Sequence, residues 1–315
     1  MEKNKKIVVI LGTTASGKTG LGVKLARKFD GEIVSADSRQ VYRGMDVGTG
    51  KDLEEYRIEI PKSSISNQRR FVKIPYHLID VVGPNTGYNL AKYKKQAEKA
   101  IDDILKRGKL PIVVGGTGLY LEALVEGYDL AQARPDRGFR ERFEKASLEK
   151  LLQKIQKLNP AFAGKINESD RKNRRRLIRY LEILEQGEGG GEARKRYESL
   201  LIGLTKPKEE LEKRIYKRLI DRLEREDMVG EVKRLHEEGV SWKRLESFGL
   251  EYRFVSLYLK GELAYEEMVE KLFIAIRQFA KRQMTWFRRW ERKGAKIHWI
   301  KAQREALSLI KDFLK

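Results

Sequence analysis

Hydrophobic and polar positions change their spacing along this chain of 315 residues in a way that separates two kinds of element. Lys5 to Leu11 (KKIVVIL) is a short, continuous apolar run, the pattern of a strand buried on both faces of a parallel sheet. A helical period takes over near Gly17 and carries Leu21, Leu25 and Phe29. Gly31 to Ala36 (GEIVSA) reads as a second short strand that ends at Asp37. Between Asn89 and Arg107 the apolar positions Leu90, Tyr93, Ala97, Ile101, Ile104 and Leu105 share one helical face. Gly108 stops that helix, and Leu110 to Val114 (LPIVV) forms another buried strand before the turn at Gly115–Gly118. Strand and helix alternate in this way over about 125 residues, which predicts a doubly wound α/β sheet.

The texture then changes. Residues 134–186 read as almost wholly helical, with 15 basic and 8 acidic side chains. The polar stretch Gly187 to Gly191 (GEGGG) closes the section as a hinge or loop. Ser199 to Thr205 (SLLIGLT) resumes a strand pattern, helical regions follow at 208–238 and 265–290, and Lys296 to Ile300 (KIHWI) is a last short strand. The economical reading is one α/β core, residues 1–125 plus 192–315, interrupted by a helical insertion at 126–191.

Composition narrows the chemistry. The absence of cysteine excludes disulfides, zinc–cysteine clusters, iron–sulfur sites and thiol nucleophiles. Three histidines, His77, His236 and His298, stand too far apart in sequence to suggest a metal site. No apolar run reaches the roughly 18 residues that a membrane span needs, and no signal peptide is visible, so a cytoplasmic location is expected and no membrane partner. Lys and Arg number 67 against 46 Asp and Glu, a formal net charge of +21. Such an excess favours a polyanionic partner, although an ion-pair-rich surface is another use for it. Nothing in the sequence calls for an obligate protein partner.

Gly12-Thr13-Thr14-Ala15-Ser16-Gly17-Lys18-Thr19 fits the phosphate-loop pattern G-x-x-x-x-G-K-[ST] without a mismatch, between a strand and a helix. Backbone N–H groups of such a loop make a nest for phosphate oxygens; Lys18 reaches the terminal phosphates and the Thr19 hydroxyl is the expected Mg²⁺ ligand. Asp37, the first carboxylate after the second strand, belongs at the carboxyl edge of the sheet, where open α/β sheets bind ligands. Two roles stay open for it: a residue near the metal, or a general base facing the phosphate-bearing substrate. Arg171 to Arg179 places six cations in nine residues, with Arg175 and Arg179 on one helical face and Lys172 and Arg176 on another. A second cluster, Lys281 to Trp290, mixes cations such as Arg282 with aromatics, a combination suited to RNA; Phe279, Trp286 and Phe287 read more simply as packing the helix onto the core.

Taken together, these segments resemble the tRNA dimethylallyltransferases, also called tRNA isopentenyltransferases. The resemblance is carried by the phosphate loop, by Ala36-Asp37-Ser38-Arg39-Gln40-Val41-Tyr42 with Gly44 to Thr49, by Tyr76 to Asp80, by Gly115 to Tyr120, and by Ala275 to Gln278 with Lys281 to Trp286. It implies a P-loop kinase-like parallel sheet with a helical insertion that binds tRNA. The implied reaction moves a dimethylallyl group from dimethylallyl diphosphate to the exocyclic amine of the adenine on the 3′ side of the tRNA anticodon. By the same resemblance Gly12 to Thr19 cradle the diphosphate with Mg²⁺ on Thr19, and Arg218 lies near the diphosphate. Asp37 takes the amine proton, Ser38, Arg39 and Gln40 lie beside the flipped base, and Thr117 is a tRNA contact. Arg175, Arg176 and Arg179 are expected on the anticodon-stem backbone, with Arg282 as a further tRNA cation. Three positions depart from the family's pattern: Glu251 stands at a glycine position, and Arg222 and Glu226 replace methionine and glycine. They bear on the tRNA contacts of 247–253. The missing cysteines exclude the zinc-finger tail of eukaryotic relatives and imply a bacterial-type enzyme. A small-molecule P-loop kinase, an isopentenyltransferase of free adenine nucleotides, and an RNA-binding protein with a nucleotide switch are the competing readings. The kinase and free-nucleotide readings give the basic insertion no such role.

Overall fold

The computed structural model describes residues 5–60, 70–128, 130, 136–187 and 193–315. Two compact units emerge, Met1–Glu126 with Lys195–Lys315, and Gly127–Arg194. In the first, β1 (Lys6–Gly12), β2 (Gly31–Ser35), β5 (Tyr76–His77), β6 (Leu110–Gly115), β7 (Glu198–Leu204) and β8 (Ile297–Ile300) form one sheet. Its order is β5-β2-β6-β1-β7-β8 with every pairing parallel. A separate antiparallel ribbon joins β3 (Arg57–Ile60) to β4 (Arg70–Lys73).

The continuous apolar run of β1 is explained by burial of both faces. Ile7, Val9 and Leu11 enter one cluster with Tyr93, Ala97 and Ile101 of α2 (Leu90–Lys106), while Val8 and Ile10 enter another with Leu21, Val23 and Leu25 of α1 (Lys18–Lys28). Each such fully buried aliphatic side chain contributes about 1.5–3 kcal/mol of transfer free energy. Asn89 caps α2 by accepting from the Lys92 N–H at 2.9 Å. Gly108, at φ 70°, ends it in the left-handed conformation.

Helices α3 (Gly118–Val125), α9 (Lys208–Glu224), α10 (Met228–Glu237), α11 (Trp242–Phe248), α12 (Leu250–Leu259), α13 (Tyr265–Arg292) and α14 (Gln303–Leu314) complete the unit. The helical region expected at 208–238 is two helices, because Asp227 takes φ 58° and caps α10 by accepting from Gly230 N–H at 3.1 Å. Among the described residues the regular elements of the second unit are all helices: α4 (Arg137–Phe143), α5 (Leu148–Leu158), α6 (Pro160–Lys165), α7 (Glu168–Arg171) and α8 (Arg174–Glu185). They bury Phe139, Leu151, Ile155, Leu177, Ile178 and Leu181 in a core of their own. Of the expected helical span, residues 134 and 135 lie outside the described residues, as does the glycine-rich stretch from 188 to 191. Among the described residues, no helix is long and apolar enough to cross a membrane.

Candidate active site

Three adjacent strands, β2, β6 and β1, deliver their carboxyl ends to one edge of the sheet. Past those ends lie Asp37, the turn Gly115–Thr117 and the phosphate loop, so residues far apart in sequence meet because their strands are neighbours. A cleft of about 720 Å³ opens there; Thr14, Lys18, Thr19, Asp37, Ser38, Arg39, Gln40, Thr117, Arg218 and Arg282 all line it. Among its lining residues six are cationic (Lys18, Arg39, Arg218, Arg222, Arg253, Arg282) and two are carboxylates (Asp37, Glu251). A separate hollow lined by Lys24, Arg27, Lys28, Ile58, Gln303 and Leu307 shares no residue with it.

The loop's shape follows from its residues. Gly17 sits at φ 88°, a conformation that costs glycine little, and it turns the chain into α1 with N–H groups facing the cleft end. Thr13 and Ser16 are buried, and their hydroxyls have no hydrogen-bond partner among the described residues. Lys18 Nζ donates to the Thr13 carbonyl at 3.2 Å. Burial pulls its pKa down from 10.5 to about 8, with Arg218 pushing the same way and Asp37 and Glu55 opposing. An ammonium this weakly compensated is built to meet an anion.

Asp37 is oriented by its own turn: one carboxylate oxygen accepts from the N–H groups of Arg39 at 2.8 Å and Gln40 at 3.4 Å. Its other oxygen has no partner among the described residues. Thr117 secures this segment, accepting from Ser38 N–H at 3.1 Å. Gln40 bridges Ser35 and the Gly50 carbonyl, both at 3.2 Å, and Arg39 lies over the Phe248 ring. Arg218 donates to the Gly50 carbonyl at 3.2 Å.

Several residues were not singled out by the sequence reading. Gln283 accepts from Thr14 N–H at 2.8 Å and donates to the Gly116 carbonyl at 2.9 Å, joining the phosphate loop to the β6 turn through α13. The available signal is a lone amide in the buried stripe Leu272, Ile276, Ala280, Gln283, Phe287, Trp290. Glu231 accepts from the N–H groups of Asp46, Val47 and Gly48 at 2.7–3.0 Å and from the Tyr252 hydroxyl at 2.7 Å, fixing the cleft wall at Gly48–Gly50. No local pattern announces it. Of the aromatics of α13, Phe287 is buried in the core and Trp286 packs against that core, both as expected, while Trp286 and Phe279 also line the cleft.

Arg175, Arg176 and Arg179 lie in the helical unit. Arg176 pairs with Asp170, and Arg179 donates to Glu182 at 2.6 Å. Both carboxylates are buried, Glu182 also accepting from Arg140 at 2.7 Å and Asp136 N–H at 2.6 Å. Two of the three expected phosphate-facing arginines are thus tied into the unit's own ion pairs. Arg175 is exposed and has no such tie among the described residues.

Comparison with known proteins settles the family. The model described as IPP transferase matches residues 40–290, and that described as isopentenyl transferase matches residues 5–65. The chain belongs to the IPP transferase family. It is 48% identical over 300 residues to tRNA dimethylallyltransferase 1 of Syntrophus aciditrophicus, covering 94% of this chain and 93% of that one. It is 42% identical to tRNA dimethylallyltransferase 2 of Citrifermentans bemidjiense, covering 99% and 96%. Among solved structures it resembles a tRNA isopentenylpyrophosphate transferase from Bacillus halodurans, with TM-score 0.67, 33% identity, and coverage of 98% and 95%. It also resembles a eukaryotic dimethylallyltransferase acting on tRNA, with TM-score 0.75, 26% identity, and coverage of 98% and 79%. These relatives give no support to the kinase or free-nucleotide readings.

Proposed function

We propose that this chain transfers a dimethylallyl group from dimethylallyl diphosphate to the exocyclic amine of the adenine 3′-adjacent to the tRNA anticodon. The observation that carries the reading is the cleft: a phosphate loop and an arginine facing a carboxylate whose one oxygen is fixed and whose other is open. Lys18, Arg218 and the loop N–H groups hold the diphosphate and stabilise the charge that grows on its oxygens. Asp37 accepts the amine proton as the nitrogen–carbon bond forms and the carbon–oxygen bond to the diphosphate breaks; the diphosphate leaves with that bonding pair. Phe279, Trp286 and Leu119 supply apolar wall on the same cleft. An adenine stacked in an anticodon loop reaches such a cleft only when flipped out; the presence of Arg39 on the lining supports its contact beside that base, and that of Arg282 a further tRNA contact.

Mg²⁺ fits the donor set. Thr19 lines the cleft, and among the described residues its hydroxyl has no hydrogen-bond partner and no cluster of three or more His, Asp or Glu forms a cage, so Thr19 and the diphosphate oxygens would hold the ion. Bound there, it supplies charge neutralisation on the leaving group. In the insertion, the exposure of Arg175 and its freedom from ion pairs among the described residues support a contact with tRNA phosphate. Incubation with dimethylallyl diphosphate, Mg²⁺ and unmodified tRNA, followed by mass spectrometry of the nucleosides, is expected to give prenylated adenosine. Modification of free nucleotides instead, or phosphoryl transfer from ATP, would overturn the reading.

A further inference from the structure

The face of α9 that carries Arg218 carries other arginines at one-turn intervals. Arg214, Arg218 and Arg222 occupy positions i, i+4 and i+8, so their side chains share one side of the helix. Arg214 is exposed and held by Glu210 at 3.1 Å. Arg222 is only 7% exposed, yet it lines the cleft. Both Arg218 and Arg222 press against Gly50, where a side chain would collide with the two guanidinia.

Arg222 is short of partners. A guanidinium has five N–H donors. Among the described residues the only hydrogen-bond partner of this one is Glu251 Oε1, at 3.5 Å, the outer limit of a hydrogen bond. Glu251 stands on the first turn of α12, its side chain 12% exposed. Burial, with Arg218 alongside, pulls the Arg222 pKa down to about 10, and burial pushes that of Glu251 up. A buried cation with one long bond is an unfavourable arrangement unless another anion completes it. The one carboxylate is shared by a wall on which two guanidinia converge.

We propose that Arg222 is a further diphosphate-binding cation and that Glu251 is its positioning residue. Glu251 holds the guanidinium on the cleft wall in the absence of ligand, and the diphosphate takes up the donors that Glu251 leaves open. This rests on the diphosphate reading given above. Arg222 lies about 6 Å further along α9 than Arg218. Its guanidinium nonetheless converges with that of Arg218 at Gly50, so a diphosphate that meets one meets the other. The sequence departures at 222 and 251 meet in space on the wall of the proposed diphosphate cleft.

Titration calorimetry in Mg²⁺ with inorganic pyrophosphate tests this. Arg222→Met, which keeps the length and apolar stem, is expected to weaken pyrophosphate about tenfold to a hundredfold. Glu251→Gln keeps an acceptor for Arg222 but removes the competing charge, so pyrophosphate is expected to bind about threefold to tenfold tighter. Should the methionine variant fail to fold, Arg222→Lys carries the test: charge without the fork predicts a loss of about threefold to tenfold. Pyrophosphate affinity within twofold of wild type in the position-222 variant and in Glu251→Gln, with Lys18→Ala weakened, would overturn the role of Arg222. Wild-type affinity in Lys18→Ala would instead overturn the diphosphate reading itself.

Discussion

Lys18 gives the sharpest test of the cleft's electrostatics. Its ammonium is buried beside Arg218, and its pKa stands at about 8 rather than 10.5. The charged form is therefore disfavoured by about 3 kcal/mol in the ligand-free protein. Because the folded value lies below the unfolded one, that penalty on stability is fully present below about pH 8 and recedes as pH rises toward 10.5. A diphosphate reverses the balance by supplying the missing counter-charge. At pH 8 about half of the molecules hold a neutral amine, so binding pyrophosphate should draw about half a proton onto Lys18. The uptake should fall to about a tenth at pH 7 and rise to about nine-tenths at pH 9. Calorimetry in two buffers of different ionisation enthalpy measures this number. Subtracting the same titration of Lys18→Met removes the ligand's own protonation. Affinity of the wild type should also fall more steeply above pH 8 than that of the variant. Equal proton uptake by wild type and Lys18→Met at pH 8 would refute the assignment of a depressed, diphosphate-facing amine.

Other perturbations separate chemistry from scaffolding. Asp37→Asn should lower turnover by about a hundredfold or more while pyrophosphate affinity stays within about twofold, since the amide keeps the Arg39 contact but cannot take a proton; near-normal turnover would make Asp37 structural. Arg175→Ala should reduce the slope of log K against log salt for tRNA by about 0.7–0.9, and an unaltered slope would leave this residue an ordinary solvated one. Glu182→Ala removes the buried acceptor shared by Arg140, Arg179 and the Asp136 N–H and should destabilise the helical unit by about 1–3 kcal/mol in chemical denaturation. Arg107 and then His77 hold the Glu32 pKa down to about 2, so its stabilisation is full above pH 4.5 and drains as pH falls toward 2. Glu32→Gln should accordingly lower Tm at pH 7 by more than at pH 3, and equal losses at the two pH values would disprove the linkage.

What could be read from sequence was what local physics decides. The phosphate loop is fixed by its own glycines and by the strand and helix that flank it, so GTTASGKT was legible without any tertiary knowledge. The alternating burial of Ile7 to Leu11 on two faces is written in an unbroken apolar run, because both faces of a parallel strand exclude water. Asp37 was legible because a strand end in an open sheet is a place, not only a sequence. The break at Asp227 escaped detection, since a helical period continues through a residue that one left-handed φ diverts. Pairings set by the packing of distant elements could not be seen at all. Gln283 reaches Thr14 only because α13 crosses the end of β1, and Glu231 threads its carboxylate into the N–H groups at 46–48 only because α10 packs there. In the insertion, composition counted six cations between Arg171 and Arg179 but could not tell which were committed. Burial of Asp170 and Glu182 decided that, since a carboxylate removed from water must take a cation with it. Arg222 and Glu251 looked like two unrelated departures along the chain; the fold places them side by side on the wall of the cleft, where each is the other's nearest answer to desolvation.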